Sequence, residues 1–175
     1  GIAHNMPTGL KQSSSVVAIG FNATETVPNT FVQSSIDLNL SPLDREVFVV
    51  LAVNLDASTP DSAPGTDTVV TTSLTTTRQT AVATLANSNC LAVSQNVIRA
   101  AGFVDSGIGF STLGLETPPA TLEYIGIIAT NDFFVQCQGT GNLGTKEVNG
   151  KLYGHRATAN ADIFAALVQS EVLSA

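Results

Sequence analysis

The sequence predicts a mainly β fold, a two-sheet sandwich of about eight strands with a short C-terminal helix. Three observations predict it. Short runs rich in Val, Ile, Thr and Phe recur along the 175 residues, separated by Gly, Pro, Asn and Ser. One of these runs, residues 47–53, is continuously apolar and largely β-branched. Helical spacing of apolar residues emerges clearly only after Asn160.

In chain order, residues 1–14 hold Pro7, Gly9 and the start of a serine run with little apolar pattern, which predicts an extended arm ahead of one domain over 15–175. Residues 15–21 predict a first strand, interrupted at Gly20. Over 30–40, Phe31, Ile36, Leu38 and Leu40 alternate with Gln33, Ser35, Asp37 and Asn39, and a slip at 32–34 suggests a bulge. Residues 46–56 predict a central strand buried on both faces, in a sandwich core or under a neighbouring subunit. A loop with Pro60, Pro64 and Gly65 follows. The Thr- and Val-rich stretch 68–84 predicts paired strands, because threonine is β-favouring and helix-poor. Residues 90–101 fit helical spacing as well as a strand, and 102–114 are rich in glycine.

Beyond Pro118 and Pro119, residues 121–130 and 133–138 read as strands with only Asn131-Asp132 between them, which predicts a tight hairpin. A glycine-rich turn at 139–144 and a strand at 148–159 follow. Asn160 is a candidate N-cap, and Ile163, Phe164, Leu167, Val168 and Val172 keep helical spacing behind it. Eight strands suit the two four-stranded sheets of a single jelly roll.

Composition narrows the function classes. Hydrophobic residues make up 43% and charged residues 12%, about half the usual charged share of a soluble domain. The surface is therefore built from Ser, Thr, Asn, Gln and Gly, or is partly covered by partners. The net charge is −7, and the seven cations, Lys11, Arg45, Arg78, Arg99, Lys146, Lys151 and Arg156, do not cluster, which argues against direct nucleic-acid binding. No apolar run is long enough for a membrane helix, and residues 1–7 lack the pattern of a signal peptide. Cys90 and Cys137 allow one disulfide, but two cysteines are too few for a stapled scaffold and read rather as two buried free thiols.

No motif predicts an enzyme. Residues 139–144 match G-x-G-x-x-G, but 145–150 carry no helical stripe whose N-terminus could meet a pyrophosphate, so the match reads as a hairpin loop and no cofactor is expected. Asp56, Asp61 and Asp67 share a loop region without calcium-loop spacing and read as solvated acids rather than metal ligands. His4 and His155 lie far apart in sequence, with no partner at metal spacing and no nucleophile elbow. Asn22-Ala23-Thr24 is a glycosylation sequon, meaningful only in a eukaryotic secretory host. Aromatics are 6% without tryptophan, which weakens a carbohydrate-binding reading.

The polar arm 1–14, the buried strand 46–56, the Thr-rich strands of 68–84, the hairpin 121–138 and the segment 160–175 together resemble the small single-jelly-roll major capsid proteins of icosahedral viruses. The resemblance is architectural and carries no diagnostic motif. It implies a virion coat subunit that self-assembles into a homo-oligomeric shell, with other virion proteins as further partners. The arms of the RNA-virus members are rich in Arg and Lys, whereas 1–14 contain only Lys11, so contact with an internal membrane or a separate inner layer is expected in place of genome contact. Ile2, Met6 and Leu10 are the arm's candidate anchors for a neighbour's groove, and Phe164, Leu167 and Val168 form a helical stripe that must pack on its own sandwich or on a partner. The competing reading is a β-sandwich adhesion or surface-binding module of a tail, pilus or surface layer.

Overall fold

The computed structural model describes residues 9–100, 108–112, 114–116 and 124–173. The strands are β1 (Leu10–Gln12), β2 (Val17–Thr24), β3 (Val32–Asp37), β4 (Glu46–Ala57), β5 (Thr68–Thr75), β6 (Cys90–Arg99), β7 (Ile108–Thr112), β8 (Gly114–Glu116), β9 (Gly126–Ile128), β10 (Asp132–Thr140) and β11 (Glu147–Ala159). A single helix, α1 (Ala161–Leu173), closes the described chain. The first sheet has the order β1-β11-β4-β8, with β2 also on β11 and β9 also on β4; the second runs β3-β10-β5-β6-β7.

The antiparallel partners are nested: β5 with β6, β4 with β8 and β9, β3 with β10, β2 with β11. Successive rungs of this ribbon fall in opposite sheets, which is the winding of a jelly roll. Of the expected eight strands, one position on β4 is shared by the short β8 and β9, while β1 and β7 extend the sheets.

β4 forms where branched and aromatic side chains crowd, and both its faces are buried, as its continuous apolar run predicts. Phe48, Val50, Val53 and Leu55 enter the core between the sheets, and Val47 and Val49 enter a second cluster on the outer face. The change of parity comes from a bulge: Tyr153 opposes Ala52 and Gly154 opposes Val50, leaving Leu51 as the extra residue. Gly154 is required there, because a Cβ would run into the Val49 carbonyl and the Phe48 ring. The second sheet contributes Val70, Leu74, Phe133, Val135 and Cys137 to the core, and Phe21 meets Phe133 edge-on at 5.8 Å. Each such buried side chain stabilises by roughly 1.5–3 kcal/mol.

Several local expectations are corrected. The hairpin expected over 121–138 does not form in its described part, 124–138: β9 pairs with β4 in one sheet, and β10 with β3 and β5 in the other. The Asn131-Asp132 turn crosses the sandwich because Asn131 is tied to the β3 side, its Oδ1 accepting the Leu40 N–H at 2.8 Å. No bulge occurs at 32–34, where the β3–β10 register is unbroken. Ser34 keeps its place by donating to the Asn22 carbonyl of the facing sheet, so a polar residue occupies the position that looked like a slip. The Thr-rich stretch is one strand to Thr75, and 76–89 form a covering loop rather than a second strand. Residues 90–99 are a strand, and the glycine-rich 139–144 link β10 to β11 across the sheets, so that segment too is no hairpin.

Candidate functional site

The predicted assembly residues on the described chain converge on the outer face of the first sheet. Leu10, Phe164, Leu167 and Val168 pack with Ile163 around Val47, Val49, Ala157 and Ala159. Ile2 and Met6 lie outside the described residues. The apolar stripe of α1 thus packs on its own sandwich. Asn160 is its cap, its Oδ1 accepting the Ile163 N–H at 2.8 Å, and the Asn160 N–H donates to the Gly9 carbonyl at 2.9 Å. Residues 10–12 of the expected arm are strand β1 along Ala157–Ala159. The two terminal segments therefore meet on one surface.

The other end of α1 is held by a residue that sequence reading missed. Glu171 is 6% exposed and accepts from the Ala129 N–H (2.7 Å), the Thr130 N–H (3.2 Å) and the Thr130 hydroxyl (2.6 Å). The Asn89 amide donates to the Glu171 carbonyl at 3.2 Å, bringing in the loop after β5. A lone Glu in a helical stripe gives no local sign of these partners.

A second polar cluster organises the β10–β11 connection. Asp61 Oδ2 accepts the N–H groups of Leu143 (2.8 Å) and Gly144 (2.9 Å), and its Oδ1 receives Lys146 Nζ at 2.6 Å. The Lys146 contact first, and the Gly144 N–H next, hold the Asp61 carboxyl below its usual range against an opposing effect of burial. Asp61 is thus a structural staple, not the solvated loop acid expected. Beneath it, Glu25 is 3% exposed and accepts from Thr30, Gly139 and Lys146 N–H groups. The three loop aspartates do not gather: Asp56 is exposed, and Asp67 accepts the Ala100 N–H at 2.7 Å. Among the described residues no group of three metal-ligating side chains occurs.

The remaining candidates are dispersed. His155 is buried, with Nδ1 3.2 Å from the Arg156 carbonyl, and His4 lies outside the described residues. The sequon residue Asn22 is exposed on β2, its Oδ1 accepting the Thr24 hydroxyl at 2.8 Å. Cys90 and Cys137 are buried and unbridged, and burial first, then the charges of Glu25 and Glu147, push the Cys137 thiol up to about 12.

On the outer face of the second sheet, Gln136 is fully buried: its Oε1 accepts from Ser73, and its amide donates to Gln33 and Thr75. Loop 76–89 lies over this network, with the Gln79 N–H donating to Gln33 and the Ala83 N–H to Ser73. Between that loop and β5–β6 opens a mainly apolar 430 Å³ pocket lined by Thr71, Thr72, Thr84 and Ser94 and by Val82, Leu85 and Val93. A second pocket, of 340 Å³, lies between α1 and the β3–β4 connection. Large apolar side chains stand exposed at Val16, Val27, Leu43, Leu85, Leu143 and Val172.

No protein-family model matches the chain, and no curated protein matches it. Among solved structures, the chain is similar to one titled Desmodium yellow mottle tymovirus, with 14% identity and a TM-score of 0.28, over 90% of this chain and 94% of that one.

Proposed function

We infer that this chain is a structural subunit, a virion coat protein that assembles with copies of itself into a closed shell. The observation that carries this reading is the surface. Charged residues are only 12% of the chain, and large apolar side chains stand in solvent at both sandwich ends and on α1. A domain built to remain alone covers such residues or surrounds them with charge. Identical subunits with sticky surfaces close into symmetric sets. The jelly roll by itself does not choose among functions, since unrelated proteins use it.

In this reading the terminal segments join the subunits. Leu10, Phe164, Leu167 and Val168 anchor them to their own sandwich, which leaves Ala165, Ala166, Gln169 and Ser170 as an exposed, uncharged helix face for a neighbour. Ile2 and Met6 supply anchors ahead of β1. Other virion proteins are further partners. The −7 charge and an arm with Lys11 as its single cation argue against the genome and leave a membrane or an inner protein layer beneath the shell. Light scattering with electron microscopy on the full chain, and on a chain lacking residues 1–12, tests the reading. Full-length protein should form particles, and the truncated chain should assemble less well. A full-length chain that stays monomeric at high concentration would refute it.

The 430 Å³ pocket between loop 76–89 and β5–β6 favours a second reading, an adhesion or surface-binding module. Saturable ligand binding that Ser94→Trp abolishes, by a monomeric chain, would support that alternative.

A further inference from the structure

The β3–β4 connection presents Leu43, which is 92% exposed, more than any other large apolar side chain among the described residues. Its backbone is fixed. The Arg45 N–H donates to the Pro42 carbonyl at 3.1 Å, and the Glu46 N–H to the Ser41 carbonyl at 3.0 Å. The Ser41 hydroxyl donates to Asp44 at 3.0 Å, and Arg45 Nε to the Ala159 carbonyl at 3.0 Å. A leucine presented on so constrained a turn has little backbone entropy left to lose on docking.

Beside this turn lies the 340 Å³ pocket, walled by Leu40 and Pro42 of the same connection, by Ala129, and by Phe164 and Val168 of α1. Leu43 itself, nearly all in solvent, does not fill it. We propose that Leu43 of one copy seats in this pocket of a second copy, which returns its own Leu43 to the first, around a two-fold axis. This rests on the coat-subunit reading and names one of its contacts.

Two features select a second copy as the occupant. Knob and hole adjoin: Leu43 sits on the connection that walls the pocket with Leu40, Pro42 and Glu46, and residues 129–131 and α1 complete it, so the patch is self-complementary, as an isologous contact requires. The walls are mainly aliphatic and aromatic, and the volume exceeds a leucine side chain, leaving space for the adjoining turn. The acids beside it, Asp37, Asp44, Glu46, Asp132 and Glu171, outnumber Arg45 and Arg156, so the contact should tighten as salt is raised.

The test compares wild type, Leu43→Asp and Leu43→Met by sedimentation and electron microscopy. Leu43→Asp should weaken self-association by roughly 30-fold or more, the loss expected of a central anchor. At a dilution where both proteins are monomeric its melting should match that of the wild type, because the side chain is solvated in the single subunit, and Leu43→Met should keep most of the association. In a mixture of Leu43→Cys and Thr130→Cys chains, oxidation should yield a crosslinked dimer. Wild-type assembly by Leu43→Asp would overturn this contact and leave the coat reading standing. A wild-type chain that never associates would overturn both.

Discussion

Asp61 has partners 82–85 residues away in sequence, and removing its carboxylate strands two backbone N–H groups and a largely buried ammonium. Asp61→Ala should therefore destabilise by about 1–3 kcal/mol in chemical denaturation, rather than being neutral as a solvated acid would be. The sign with pH follows from a depressed folded-state pKa. The contribution is complete above the unfolded value, at about pH 4, and is lost as pH falls through the lower folded value. Asp61→Asn should abolish that part of the acid sensitivity, measured as the difference in unfolding free energy between pH 6 and pH 3. Thr76 offers the opposite case. Its hydroxyl is the buried side-chain polar atom without a hydrogen-bond partner among the described residues. Thr76→Val should stabilise by up to about 1 kcal/mol, read as a raised melting temperature. An unchanged or lower melting temperature would show that the hydroxyl finds a partner.

The elements differ in how far they declare themselves in the sequence. β4 and α1 are legible because their signals are local: seven successive apolar residues, and a capping Asn160 ahead of a 3.6-period stripe. What β9 and β10 pair with is not legible, because Asn131-Asp132 announces a turn without saying whether the chain returns in plane or crosses the sandwich. The Thr-rich segment 76–84 has strand propensity, yet it is held as a cover by Gln33 and Ser73 on other strands. The apolar stripe of α1 is legible because it is periodic, while Glu171 and Leu43 have no pattern around them. α1 depends on Glu171 for its far end. Glu171→Ala should speed amide exchange at Ala129 and Thr130 by an order of magnitude or more, since about 1.4 kcal/mol corresponds to tenfold. Glu171→Gln should keep part of the protection. Equal exchange rates in all three proteins would mean that packing alone holds the helix.

At the scale of the whole molecule, the two sheets share one core and β4 divides it from the cluster under α1. Val50 lies in the middle of that strand, fully buried. Val50→Asp should yield insoluble or unfolded protein, because an unpaired buried carboxylate costs several kcal/mol against a total stability of about 5–15 kcal/mol. Soluble expression with a normal melting transition would contradict the central place given to β4.

The nested pairing has a consequence for synthesis. A ribosome delivers β1 to β6 first, but of those strands only β5 and β6 pair with each other. β3 and β5 wait for β10, and β1, β2 and β4 wait for β11, the last strand to emerge. Until β10 and β11 appear, β1, β2 and β3 therefore stand without a partner and β4 and β5 each keep one edge open, and closure then joins partners as distant as Leu10 and Ala159. Such a chain should fold slowly, once β11 has emerged, and a translation pause before residue 132 would leave it exposed to aggregation when it is most vulnerable.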